Sequence, residues 1–282
     1  MKKLIIAILS VMTVLSFSGC GTGKKFAKSD SRGYDVYLLI GQSNMAGRGK
    51  MLPEDTLKVL KGVYLLGPED KPVPAKNPLN QYSTIRKDIK IQQICPGTAF
   101  CQEMYKYNGR KILIVMNARG GSALNEWVEG TEFFSEAVRR CREGMKYGTL
   151  KGILWHQGCA DSSKSKRDTY LKRLAPMVNA LRRDLGVGEE VPFIAGELAY
   201  WRRSSAAFNE MLHGITDAVP NSAWVSAEGC GPLKPESLKT RRPDPHFSRD
   251  GQLLLGKRYA EKMIELTGIQ KTHGSNPRNL RK

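Results

Sequence analysis

Zinc-type ligand patterns are missing from this chain: its six cysteines and four histidines form no Cys-x-x-Cys pair and no His-Glu-x-x-His run, so no metal dependence is expected. No internal repeat and no second compositional block is visible, which sets aside solenoid architectures and argues for one domain within 282 residues. Acid is scarce, with 27 Asp and Glu against 45 Lys and Arg, a formal charge of +18. Such an excess favours anionic surroundings, such as acidic glycans or phospholipid head groups. The basic residues lie in pairs, Arg139-Arg140, Arg182-Arg183, Arg202-Arg203 and Arg241-Arg242, and in the run 164–167. They have no interleaved aromatics, and no helix-turn-helix or ribonucleoprotein motif accompanies them, so no nucleic-acid partner is expected. Most of the pairs read as solvated helix faces.

The one long apolar run, at 4–17, follows Lys2 and Lys3 and is too short for an ordinary transmembrane helix. It ends in Phe17-Ser18-Gly19-Cys20, small residues before a cysteine, which resembles a bacterial lipobox. That resemblance implies a signal peptide over 1–19, a lipid anchor in the membrane on Cys20, and an exported lipoprotein, periplasmic or outer-membrane-associated. Simple secretion with cleavage nearby is the alternative. Removing 1–19 leaves a charge of +16, and residues 20–33, rich in Gly, Ser and Lys, read as a tether. Five cysteines remain at 95, 101, 141, 159 and 230; export permits disulfides, but an odd count leaves at least one thiol free.

Short apolar runs alternate with amphipathic stretches, the pattern of an α/β protein with a parallel sheet covered on both faces. Strands are predicted over 36–40, 63–66, 112–116, 153–155, 193–195 and 223–226, and helices over 98–107, 133–147, 168–185, 205–218 and 251–266. Ser248 or Asp250 would cap the last helix. The stretch 67–93, with prolines at 68, 72, 74 and 78, cannot be a continuous helix or a central strand. A second proline-rich loop, 229–245, leads directly into His246. The domain is expected over 34–268, followed by a basic tail over 269–282.

The string Tyr37-Leu38-Leu39-Ile40-Gly41-Gln42-Ser43-Asn44-Met45-Ala46-Gly47 places a serine at the mouth of a buried strand. Glycines on either side permit a tight turn, and the serine's own N–H can face a developing oxyanion. A hydroxyl still needs a base. His246, with Asp244 close by, is the best candidate among the four histidines. His213 falls in an amphipathic segment and His273 in the tail.

These residues resemble the SGNH hydrolases, and among them the sialate O-acetylesterase and carbohydrate esterase family 6 group. Three further strings support the similarity over roughly 35–266: Asn117-Ala118-Arg119-Gly120-Gly121-Ser122 followed by Trp127, Trp155-His156-Gln157-Gly158, and Asp244-Pro245-His246-Phe247. The resemblance implies a three-layer α/β/α, flavodoxin-like fold and a cofactor-free serine esterase that removes acetyl groups from carbohydrate, such as acetylated xylan or sialic acid. Ser43 would be the nucleophile and His246 the base, with the N–H groups of Ser43 and Gly120 and the Gln157 amide forming the oxyanion hole. Trp127, His156, Tyr200 and Trp201 would line the substrate, with Glu197 at the pocket edge; core packing is the alternative for the aromatic residues. The acid departs from the family pattern. Relatives place the aspartate three residues before the histidine, whereas Asp244 is two before it, and the glutamate that often follows His-Gln-Gly is here Cys159. Asp244 is the first choice, Asp161 the reserve, and a dyad helped by a backbone carbonyl a third option. Two other readings stand beside this one: a short-chain carboxylesterase of broad specificity, and a catalytically impaired glycan-binding lipoprotein.

Overall fold

The computed structural model describes residues 33–271. The expected signal peptide, Cys20, nearly all of the tether, His273 and most of the basic tail lie outside the described residues.

In chain order the elements are β1 (Tyr34–Gly41), α1 (Ser43–Ala46), α2 (Pro53–Leu57), β2 (Val63–Leu66), β3 (Pro72–Pro74), α3 (Gly97–Asn108), β4 (Ile112–Ala118), α4 (Glu132–Met145), β5 (Gly148–His156), α5 (Lys164–Arg167), α6 (Tyr170–Leu185), β6 (Phe193–Gly196), α7 (Arg203–His213), α8 (Ile215–Ala218), β7 (Ser222–Val225) and α9 (Arg249–Thr267). The seven strands form one sheet in the order β3-β2-β4-β1-β5-β6-β7. Setting aside β2 and β3, the remaining order β4-β1-β5-β6-β7 is the 2-1-3-4-5 arrangement of flavodoxin-like sheets.

Each of the six predicted strands is present. The expected central parallel sheet is present, and it carries one further strand at its edge that runs antiparallel: β3 pairs with β2, with Leu65 opposite Val73. It lies within the proline-rich stretch 67–93. Two prolines in three residues cannot donate to neighbours on both sides, so this strand is restricted to the sheet edge, where it is found.

Alternate residues of the central strands enter two separate cores, which makes the three layers explicit. Val36, Leu38 and Ile40 of β1 pack with Phe134 and Cys141 of α4 and with Leu174 and Val178 of α6. Tyr37 and Leu39 pack on the opposite face with Phe100 and Met104 of α3 and with Leu255 and Tyr259 of α9. Burying a strand on both faces favours the near-continuous apolar run at 36–40 over strict alternation.

Helix boundaries follow local chemistry. Ser248 caps α9, its hydroxyl accepting from the Gly251 N–H at 3.1 Å. The predicted segment 205–218 is divided at Gly214 into α7 and α8. Two of the basic residues expected to be solvated are buried. Arg140 donates to the Leu66 carbonyl at 2.6 Å and pairs with Asp70 at 3.1 Å, and Arg182 donates to the Val191 carbonyl at 2.9 Å. Both serve as internal struts because a guanidinium can satisfy several carbonyls at once. All five described cysteines are free thiols.

Candidate active site

β1 is flanked by β4 on one side and β5 on the other, so its carboxyl end opens into the crevice at the sheet's switch point. Gly41, its last residue, has φ +134°, and a Cβ there would lie 2.4 Å from the His156 carbonyl oxygen. Only glycine fits this turn. The Gln42 N–H donates to that same carbonyl at 2.8 Å, and the Gln42 side-chain oxygen accepts from the Gly158 N–H at 3.1 Å. Ser43 thereby begins α1 with its hydroxyl held at the edge of the crevice.

The histidine loop meets it from the other end of the chain. Ser43 Oγ lies 3.0 Å from His246 Nε2, and His246 Nδ1 lies 2.8 Å from Asp244 Oδ1. The same carboxylate oxygen accepts from the His246 backbone N–H at 2.9 Å. This is an aspartate turn closed on the residue two places ahead. It explains how an acid two residues before the histidine reaches the ring. Donation from Nδ1 to the carboxylate leaves the Nε2 lone pair facing the Ser43 hydroxyl. Burial pushes the imidazole below its ordinary value; Asp244 opposes that shift and the Arg48 guanidinium adds to it.

Asn44 and Arg48 belong to this site although neither was singled out from the sequence. The Asn44 side chain donates to the Pro245 carbonyl at 3.1 Å and accepts from the Phe247 N–H at 3.2 Å. It therefore holds the backbone on both sides of His246 from the residue next to Ser43. Gln252 of α9 donates to the same Asn44 oxygen at 3.0 Å. Arg48 donates to the carbonyls of Gly47 and Ile91 at 2.6 and 3.1 Å. Its Nη2 lies 2.4 Å from where a Gly120 Cβ would be, a point 3.8 Å from Ser43 Cα. A charge directly following Gly41-Gln42-Ser43-Asn44-Met45-Ala46-Gly47 and flanked by two glycines was the available, weak sequence signal.

Gly120 lies beside Ser43 as the family resemblance implied, drawn there by the Arg119 N–H donating to the Gly41 carbonyl at 2.9 Å. Among the described residues neither the Ser43 nor the Gly120 N–H donates to a protein acceptor. Gln157 is different. Its amide nitrogen donates to the Ser122 carbonyl at 3.1 Å and to Asp161 Oδ2 at 2.7 Å, and its oxygen accepts from the Tyr170 hydroxyl at 2.8 Å. Both amide protons are engaged inside the protein, so the expected Gln157 oxyanion contact is corrected: this side chain braces the loop after β5. The reserve acid is corrected with it. Asp161 is buried and, besides Gln157, accepts from the Leu124 N–H at 2.8 Å and from Arg173 at 3.3 Å, while the carboxylate on His246 is that of Asp244.

Two of the four expected substrate contacts are internal. Trp127 is 1% exposed, donates to Ser122 Oγ at 2.9 Å and packs edge-on against Trp155. His156 is fully buried, with Nε2 3.0 Å from the Glu197 carbonyl oxygen, and burial lowers its pKa to about 4. Neither can touch a sugar. Trp201 is half-buried and its indole N–H donates to the Asp244 carbonyl at 2.7 Å, with its ring edge-on to Phe247. Tyr200 is 48% exposed and remains available at the surface. The Glu197 side chain, expected at the pocket edge, is buried among Tyr200, His213 and the Ala227 N–H, and His213 also stacks on Trp224. Burial raises the pKa of Cys159, which leaves little thiolate for nucleophilic attack. Among the described residues no group of three or more His, Cys, Asp or Glu side chains could hold a metal ion.

A family model described as carbohydrate esterase, sialic acid-specific acetylesterase, matches residues 33–265. A protein of Arabidopsis thaliana named as a probable carbohydrate esterase is 27% identical over 241 residues, covering 80% of this chain and 88% of the relative. Among solved structures, an Arabidopsis thaliana protein matches with a TM-score of 0.71 and 24% identity, covering 83% of this chain and 98% of its own. NanS matches with a TM-score of 0.65 and 18% identity over 83% and 98% of the two chains. The structural likenesses show a shared fold, and the family match runs from β1 almost to the end of α9. The chain belongs to the carbohydrate esterase family of sialic acid-specific acetylesterases.

Proposed function

We propose that this protein is a serine esterase that removes O-acetyl groups from carbohydrate through an acyl-enzyme. One observation carries the reading: a serine hydroxyl 3.0 Å from a histidine Nε2 whose Nδ1 is 2.8 Å from a carboxylate. Ser43 Oγ attacks the acetyl carbonyl carbon as its proton passes to His246 Nε2. The bond to the sugar oxygen then breaks, and that oxygen leaves with the proton from His246. Water repeats the sequence on the acetyl-serine and releases acetate. Asp244 holds the productive tautomer and stabilises the imidazolium. The N–H groups of Ser43 and Gly120 face the oxyanion, and loss of one such donor costs about 3–4 kcal/mol in known hydrolases. Asn44 and Trp201 are positioning residues that fix the loop carrying His246 and Asp244.

A glycan-binding protein that has lost its acid is the less favoured reading, because Asp244 occupies the position that reading requires to be empty. Labelling by a fluorophosphonate probe, lost in Ser43→Ala, together with acetate release from acetylated xylan and O-acetylated sialic acid, tests the proposal. A Ser43→Ala protein that still releases acetate at the wild-type rate would sink it. Hydrolysis of p-nitrophenyl butyrate as fast as the acetate would favour a carboxylesterase of broad specificity. Export with a lipid on Cys20 is part of the proposal and rests on the lipobox-like string alone; incorporated palmitate should disappear in Cys20→Ala.

A further inference from the structure

Beside the catalytic loop lies a cleft of about 520 Å³ with an unusual charge balance. Lys164, Arg167, Arg202, Arg203, Arg241 and Arg242 line it together with serine hydroxyls, and no carboxylate does. Asp168 neutralises part of one wall, at 2.5 Å from Lys164 and 3.4 Å from Arg167. Among the described residues no carboxylate lies within ion-pair distance of Arg202, Arg203, Arg241 or Arg242. A cleft of about 600 Å³ between β7 and α9 provides the contrast, since there Glu261 and Glu265 offset Arg258 and Lys262. Four guanidinium groups gathered without counter-charges repel one another, and an anionic ligand relieves that repulsion.

The cleft is tied to the active site at three points along the chain. Pro243 immediately precedes Asp244. Arg202 immediately follows Trp201, whose indole holds the Asp244 carbonyl at 2.7 Å. Ser162 follows Asp161, the carboxylate that holds Gln157 at 2.7 Å. A ligand in the cleft would therefore rest on the loop that carries Asp244 and His246 and on two segments next to residues that brace the site.

We propose that this cleft binds anionic groups of an acidic oligosaccharide that lie outside the acetylated sugar reaching Ser43. The substrate part of the inference rests on the esterase reading; the binding part does not. The donors of the site are mainly guanidinium forks, which pair with discrete carboxylate or sulfate groups in two-point contacts.

The test compares dissociation constants for unacetylated hexagalacturonate and for maltohexaose, a neutral chain of equal length. Wild-type protein should prefer hexagalacturonate by at least about tenfold, and Arg241→Gln with Arg242→Gln should remove about tenfold of that affinity. Lys61→Gln with Lys111→Gln removes equal charge at the amino ends of β2 and β4 and should cost less than about twofold. Equal losses in the two double variants would reduce the cleft to bulk charge and overturn the proposal, as would an absence of preference in the wild type. Binding to phosphatidylglycerol vesicles that depends on Arg241 and Arg242, without preference for hexagalacturonate, would assign the cleft to a lipid surface and overturn it too. If the double variant is thermally destabilised, Arg203→Gln carries the same test. Wild-type acetate release is measured separately, so failure of the esterase reading and failure of the cleft are told apart.

Discussion

Replacing Asn44 by alanine should separate the placement of His246 from its chemistry. The side chain makes three hydrogen bonds, to the Pro245 carbonyl, from the Phe247 N–H and from Gln252, at 3.1, 3.2 and 3.0 Å. Truncation leaves the buried Phe247 N–H without its acceptor and frees the loop on both sides of His246. Buried groups stripped of a partner cost about 1–3 kcal/mol each, and partial relaxation brings the expected destabilisation to about 2–4 kcal/mol. Asp244 and Trp201 still hold the other end of the loop, so the protein should fold. The imidazole, however, should no longer be held at 3.0 Å from Ser43 Oγ, and an error of about 1 Å in such a pair costs on the order of a hundredfold in rate. Turnover of p-nitrophenyl acetate should fall by about that factor with KM nearly unchanged, and the urea midpoint should drop. Asn44→Asp keeps the acceptor for Phe247 but sets a carboxylate oxygen against the Pro245 carbonyl, and it should be impaired as well. A stable Asn44→Ala protein with kcat within about threefold of wild type would refute the positioning role.

Under the proposed mechanism catalysis needs a neutral His246, and burial holds its pKa below the ordinary 6.5, so the acid limb of kcat/KM should have its midpoint below pH 6.5. Arg48→Gln removes a cation that disfavours the imidazolium, so the limb should move to higher pH; a shift the other way in the pH-rate profile would contradict the electrostatics. Asp244→Asn should lose about four decades of kcat, as in serine proteases, whereas Asp161→Asn should mainly lower the thermal midpoint; parallel kinetics and melting curves that reverse these assignments would return Asp161 to the triad. Gln157→Ala should act on stability more than on rate, and a hundredfold loss of kcat without a change in melting would restore its oxyanion role. His156, neutral in the fold with a pKa of about 4, takes up its proton more readily in the unfolded chain. Its contribution is complete above pH 6.5 and declines as pH falls toward about 4, for a loss of about 3 kcal/mol measurable in urea titrations.

What could be read from the chain was what short strings encode. The run over 36–40, the Gly41-Gln42-Ser43 turn and the position of His246 depend on neighbours in sequence, and the two side chains that needed long-range placement came together as the family resemblance implied. The strand β3 was hidden because its prolines are disfavoured everywhere but on an edge. The function of Gln157 depends on Ser122 and Tyr170, 35 and 13 residues away, and no local pattern announces that both of its amide protons are taken. Trp127 and His156 follow or fill the family strings, which suggested substrate contact; their burial is decided by packing against Trp155 and Phe247. Arg48 was masked by abundance, since one cation among 45 carries little information until Gly120 is found beneath it.

The two departures from the family pattern have local solutions that use different acids. Shortening the Asp-to-His spacing removes a residue from the loop, yet the Asp244 oxygen reaches both the His246 ring and its N–H, so the closed turn itself sets the ring's direction. Pro245 narrows the backbone freedom of the one residue between them. Where relatives often carry a glutamate after His-Gln-Gly, Cys159 supplies no charge, and the carboxylate two residues later turns inward to hold Gln157, Leu124 and Arg173. Asp161 therefore stiffens the loop after β5, while Asp244 holds the His246 ring. The two supports are separate, because the loop after β5 holds the residue before Ser43, through Gln42 and Gly158, and the turn before α9 holds the residue after it, through Asn44 and Phe247. Ser43 sits where these two supports converge, and its distance to His246 depends on both.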